Sequence, residues 1–163
     1  MFLPEGSAKQ FDFMFVAEMP SMNEPKASSK YENFNFDVTK RDKFFQEMMV
    51  KYRVAGTYVT DIVKKRDVPR RPTEEEINQW LPFLLKEIAI IQPKAIIVLG
   101  KRTYEASFKP FVAPFISKGV EVDYVFHYSS QVPRAKFEQR FAEVTRRIKN
   151  KPTNSVINST ASR

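Results

Sequence analysis

Apolar positions divide the chain into segments of two periods. Phe11 to Ala17, "FDFMFVA", is aromatic-rich and free of Gly and Pro, which predicts a strand. "EMPSMNEPKASSK" follows with two prolines and small polar residues and reads as a long loop. Over 40–52, Phe44, Phe45, Met48, Met49 and Tyr52 recur at helical spacing with charge on the other side. Gly56 then interrupts before "TYVTDIV", a second strand, and "KKRDVPRRP" forms a basic, proline-bearing loop.

The clearest helix opens at Thr73, where Glu76 three residues on completes a capping box. Ile77, Trp80, Leu81, Leu84, Ile88 and Ile91 then lie on one stripe. Pro82 is expected to kink that helix or weaken one turn, and "QP" at 92–93 stops it. "AIIVL" at 95–99 is apolar throughout, as for a strand covered on both faces of a parallel sheet. A short helix near 101–108 and a loop over 109–119 are predicted next. "VEVDYVFH" is a fourth strand, and 134–149 is a closing helix with Phe137, Phe141, Val144 and Ile148 on one face. Strands alternating with helices imply a three-layer α/β/α domain over residues 1–150. Its central sheet has four strands and is mainly parallel. Residues 151–163 are expected to be a polar, disordered tail.

Composition narrows the class. Hydrophobic residues make up 42% of the 163 positions, fifteen of them Phe, enough for a sizeable core. The absence of cysteine excludes disulfides and cysteine-held clusters within this chain, and no metal or other cofactor is expected. "MFLPEGSAKQ" does not read as a secretory signal, and no apolar run approaches the roughly 18 residues of a membrane span. A soluble, cytoplasmic, monomeric protein is expected. Net charge is +8, and the last thirteen residues hold only two of the positive charges, so the body is basic. A basic body favours polyanions, most commonly nucleic acid. Glycines are few and none falls in a phosphate-binding loop pattern, which disfavours nucleotide-cofactor enzymes.

In an open α/β sheet, ligands bind beyond the carboxyl ends of the strands. Glu18 to Glu24, Thr60 to Arg71 and His127 to Ser130 fall there, and His127 is the only histidine. "FVAEMPSMNE", "YVTDIVKKR", "RPTEEEINQWLPFLLKEIAIIQPKAIIVLGKRTYEA" and "VFHYSS", in that order, resemble the uracil-DNA glycosylase superfamily over about residues 11–149. The likeness is closest to its four-cysteine bacterial and archaeal branch, although this chain lacks the cysteines and so cannot carry that branch's iron–sulfur cluster.

The resemblance implies DNA repair by hydrolysis of the N-glycosidic bond of uracil or another deaminated base flipped out of single- or double-stranded DNA, on the nucleoid. It implies site residues too, with departures. The first motif reads Ala17-Glu18-Met19-Pro20-Ser21; Met19 cannot activate water, which leaves Glu18 as a water-directing base or a loop-anchoring carboxylate, with Met19 and Ser21 beside the base. Phe34 is favoured over Tyr31 and Phe36 to stack on the base. Asp61 stands where the family has an Asn that reads N3–H and O4 of uracil. An ionised carboxylate only accepts hydrogen bonds. Another donor must therefore read O4, Asp61 must hold a proton, or the preferred base is not uracil; Asp61 could also simply pair with the basic loop. His127 and Ser129 match the final His-Pro-Ser motif, with Tyr128 at the proline position, and the imidazole would meet O2 of the leaving base. Lys64, Lys65, Arg66, Arg70, Arg71, Ser129 and Arg134 would contact DNA, and Val132 would enter the duplex. A relative that binds nucleic acid or a free base without cleaving is the other reading.

Overall fold

The structure, a computed structural model, describes residues 12–20, 40–65 and 69–150. Four strands, β1 (Phe13–Ala17), β2 (Tyr58–Asp61), β3 (Ala95–Leu99) and β4 (Glu121–Val125), form one sheet in the order β2-β1-β3-β4. All three pairings are parallel, with Ala17 opposite Asp61, Val16 opposite Val98 and Leu99 opposite Val125. The carboxyl ends therefore share one rim, and strand order reverses between β1 and β3, where an open α/β sheet makes its crevice.

The three layers follow from side-chain alternation along each strand. Phe13, Phe15, Ala17, Ile97 and Leu99 face helices α1 (Lys40–Lys51) and α5 (Arg134–Lys149), where Phe45, Phe137, Phe141 and Val144 complete the core. Met14, Val16, Ile96 and Val98 face α2 (Glu74–Ile91), meeting Ile77, Leu81 and Leu84. Burying each such aliphatic or aromatic side chain contributes about 1.5–3 kcal/mol. On the first face, Phe15 stands edge-on to Phe45 at 5.6 Å and lies parallel to Phe141 at 5.9 Å.

The capping box of α2 forms as read: Glu76 N–H donates to Thr73 Oγ1, and Thr73 N–H to Glu76 Oε2 at 2.7 Å. The helix passes Pro82 unbroken. Pro82 and Asn78, whose carbonyl would have received its missing bond, are both exposed, so water can satisfy that carbonyl.

Three expectations need correction. Strand two stops at Asp61; Ile62 and Val63 lie beyond it, buried, with their N–H groups on the Ala17 and Glu18 carbonyls at 2.9 and 3.0 Å. Strand four ends at Val125, so His127 sits two residues past it. The helix near 101–108 does not end there. Helix α3 (Lys101–Thr103) runs into a π-helical turn, Tyr104–Phe108, then α4 (Lys109–Phe111) and a 3-10 turn, Ala113–Phe115. Burial of Phe108 and Val112 against the second core holds this stretch helical past Pro110. Residues 151–163, expected to form the tail, lie outside the described residues.

Candidate active site

Two contacts at the carboxyl rim fix the site's frame. The Ile62 and Val63 amides bind the segment after β2 to the segment after β1, which sets Glu18 against Asp61. Gly100, directly after β3, has φ of 110°, in the left-handed region that favours glycine, and donates its N–H to the Val125 carbonyl at 2.8 Å. A Cβ at Gly100 would lie 3.2 Å from Thr103 Oγ1 and 3.5 Å from His127 Cβ. The His127 contact would be an ordinary one; the positive φ and the closeness of Thr103 are what favour glycine beside His127 at the tip of β3.

His127 is fixed by the turn it opens. Ser129 N–H donates to His127 Nδ1 at 3.1 Å, and Ser129 Oγ lies 2.6 Å from the same nitrogen. A backbone amide can only donate, so Nδ1 is an acceptor and the neutral ring carries its hydrogen on Nε2. Ser130 N–H closes the turn on the His127 carbonyl at 2.9 Å, and Arg41 Nη1 from α1 holds the Ser129 carbonyl at 2.5 Å. Burial lowers the imidazole's pKa, partly opposed by the negative charges of Glu18 and Asp42. Both effects bear on one group: the ring favours its neutral form, and two carboxylates stand near it. The ring stacks on Tyr128 at 4.5 Å, and Tyr128 stacks on Phe45 at 5.0 Å. The Tyr128 phenol is pushed well up by burial, then by Asp42 and Asp61, and stays protonated.

Glu18 is held on one oxygen. Arg71 Nε donates to Glu18 Oε1 at 3.1 Å, Arg71 Nη2 donates to the same oxygen, and Ser107 Oγ donates to it at 2.7 Å. Ser107 Oγ in turn accepts from Arg71 Nη2 at 3.2 Å. Asp61 is a different case: among the described residues no side chain donates to its carboxylate. Burial raises its pKa to about 6; Lys64 opposes the rise and Glu87 adds to it. Lys64 Nζ binds the Asp61 backbone carbonyl at 2.6 Å, Thr60 Oγ1 at 2.6 Å and Glu87 Oε2 at 2.7 Å. Its charge goes to α2 rather than to the Asp61 side chain.

Glu18, Asp61, Arg71, His127 and Ser129 thus share one rim. Met19 packs against the second core, and Val132 is half-buried. Several expected DNA contacts have protein partners: Lys64 pairs with Glu87, Arg71 with Glu18, and Arg70 with Glu76 through two bonds of 2.7 and 2.9 Å. Arg134, exposed at the start of α5, lies 5.0 Å over the Phe44 ring, and Lys65 is exposed. Ser21, Tyr31, Phe34, Phe36 and Arg66 lie outside the described residues.

The sequence reading missed Ser107, Asp42, Glu87 and Gly100. Gly100 carried a signal, as a glycine directly after a buried strand. The other three act through partners distant in the chain and left no local mark.

The profile of the uracil DNA glycosylase superfamily matches residues 3–151. The chain belongs to that superfamily. It is 30% identical over 128 residues to the type-4 uracil-DNA glycosylase of Sulfurisphaera tokodaii, covering 74% of this chain and 54% of that protein. It is 30% identical over 99 residues to the type-4 uracil-DNA glycosylase of Pyrobaculum aerophilum, covering 59% of this chain and 47% of that one. The type-4 uracil-DNA glycosylase of Archaeoglobus fulgidus is 27% identical over 117 residues, covering 70% and 56%. The chain therefore spans about half the length of the curated relatives it matches. The iron–sulfur cluster of the four-cysteine branch does not fit this superfamily member. It has no thiolate to offer, and no group of three or more His, Cys, Asp or Glu side chains that could hold a metal occurs among the described residues.

Proposed function

We propose that this chain is a DNA glycosylase that hydrolyses the N-glycosidic bond of uracil or another deaminated base turned out of DNA. One observation carries the reading: His127 has Nδ1 occupied by an amide donor, so a fixed Nε2–H is offered at the strand tips beside Glu18. As the bond from C1′ to the base nitrogen breaks, its electron pair moves into the base and charge gathers on O2, where Nε2–H donates. Such a donor stabilises the transition state more than the ground state. Water attacks C1′ and gives its proton to Glu18, and the base anion is then protonated by solvent. The products are the free base and an abasic sugar.

Protonated Asp61 offers an O–H donor to O4 and a carbonyl acceptor to N3–H, the same pair an amide supplies. Its pKa near 6 keeps that form accessible. In this reading Phe34 stacks on the base with Met19 and Ser21 beside it. Ser129, Lys65, Arg66, Arg71 and Arg134 meet the strand, while Lys64 and Arg70 add to the basic field from within their ion pairs. Phosphate contacts offset the few kcal/mol that flipping costs. The protein acts as a monomer on nucleoid DNA in the cytoplasm.

A second reading, binding without cleavage, is favoured by Met19 in the first motif and by the occupied Oε1 of Glu18. One experiment separates the two. Oligonucleotides carrying uracil, hypoxanthine or xanthine are incubated with excess protein and then treated with alkali. Strand scission that falls roughly 100- to 1000-fold in His127→Ala supports the glycosylase. Tight DNA binding with no scission of any of the three overturns it in favour of the binder.

A further inference from the structure

The Glu18 cluster leaves two groups uncommitted. Among the described residues Glu18 Oε2 has no donor, because Arg71 and Ser107 all converge on Oε1. Arg71 approaches side-on through Nε and Nη2, and its Nη1, with two N–H bonds, has no acceptor among the described residues. A guanidinium is a rigid planar fork, so fixing one edge fixes where the other points. The pair is not sealed in: the Arg71 side chain is 30% exposed and that of Glu18 is 17% exposed.

Three separate segments meet here. Glu18 follows β1, Arg71 comes from the stretch before α2, and Ser107 comes from the π-helical turn after β3. Ser107 is nearly sealed from solvent, yet its hydroxyl both donates to Glu18 and accepts from Arg71. It closes a three-membered ring of bonds, in a kind of helical turn that recurs at functional sites.

We infer that Arg71 is a positioning residue joining DNA binding to water activation: Nε and Nη2 hold Glu18 while Nη1 takes a phosphate diester oxygen of the strand. The inference rests on the glycosylase reading above and adds how its base is set. A bound phosphate fixes the far edge of the fork, the near edge then fixes Oε1, and Oε2 is left aimed at the water. Ser107 keeps the ring closed. Rate and phosphate contact become one quantity.

The test is a cycle between protein and DNA. Single-turnover excision and equilibrium binding are measured on uracil strands in which each phosphate flanking the uracil is replaced, one at a time, by a neutral methylphosphonate. The wild-type rate is expected to fall roughly 10- to 100-fold at one phosphate, and the same replacement to change Arg71→Gln by less than about twofold, since paired groups are non-additive. Arg71→Lys preserves the charge and the fold but lacks the second edge. It should keep affinity within about threefold and lose about tenfold in rate. Ser107→Ala should lower the rate several-fold with affinity unchanged. Equal losses at every phosphate in wild type and Arg71→Gln, with excision intact, overturn the inference and leave the glycosylase reading standing. Coupling seen in binding without any base released keeps the Arg71–phosphate contact and overturns the link to water activation together with the glycosylase reading.

Discussion

Glu18 follows β1 and Asp61 ends the adjacent parallel strand β2, with Ala17 opposite Asp61, yet the surroundings of the two carboxylates are opposite. Glu18 has a guanidinium and a hydroxyl on one oxygen. Asp61 has a lysine three residues away, but that ammonium is drawn to Glu87 and to main-chain oxygen, and the half-buried carboxyl has its pKa pushed up to about 6 by loss of water. Distance along the chain predicts neither outcome. Arg71 reaches Glu18 across 53 positions, while Lys64, nearby in sequence, turns its charge away. What separates the two carboxylates is whether a donor reaches the side chain; in the glycosylase reading the first is the base and the second offers a proton to the ligand.

Glu18→Gln should break the first corner most severely. Removing a general base lowers excision about 100-fold or more, read under single-turnover conditions, while DNA affinity stays close to wild type. Equal activity would assign Glu18 to loop anchoring.

Asp61→Asn should sharpen the second corner. The protonated form of Asp61 is full below about pH 5 and is lost as pH rises through about 6, so wild-type uracil excision should decline roughly tenfold per pH unit above that point. The Asn variant should not show this decline and should exceed wild type about 30-fold at pH 7.5. Stability follows the same titration. A carboxyl whose folded pKa is raised binds more protons folded than unfolded, so wild-type stability falls as pH climbs from about 4 to about 6 and is level above. Asp61→Asn removes that loss, and denaturation at pH 8 should find it about 3 kcal/mol more stable, with the difference gone at pH 3.5. A pH-independent difference would mean that Asp61 is not the titrating group.

Thr73→Ala lies outside both corners and calibrates them. Losing the cap of α2 should lower stability by about 1 kcal/mol, or about 2–4 °C in Tm, with excision unchanged.

Much of this molecule could be read from its sequence because the signals were local. Thr73 with Glu76 announced the start of α2, its apolar stripe announced the face it buries, and "AIIVL" announced a strand covered on both sides. The order of strands placed Glu18, Asp61 and His127 at one rim, although β2 and β4 each stop two residues short of the apolar run that marked them. Long-range partners could not be read. A run of basic residues looks the same whether it faces DNA or neutralises the protein's own acids; Lys64, Arg70 and Arg71 prove to be paired, and only coordinates name Glu87, Glu76 and Glu18. The helical turns past Pro110 were missed because proline argues locally against them, and the burial of Phe108 and Val112 outweighs that argument.

Because all four strands point the same way, the described residues of the candidate site gather at the carboxyl pole, while the amino pole carries other contacts such as the Lys94–Asp12 pair at 2.8 Å. The connections there run through Arg53 to Thr57, Gln92 to Lys94 and Ser117 to Val120, and none of these residues belongs to the cluster. Gly119 is exposed, and a Cβ there would meet nothing within 4 Å. In a chain without cysteine, Gly119→Cys would be the sole thiol. It gives a place for one dye or tether, at the antipode of the reactive rim, from which docking could be watched without disturbing it.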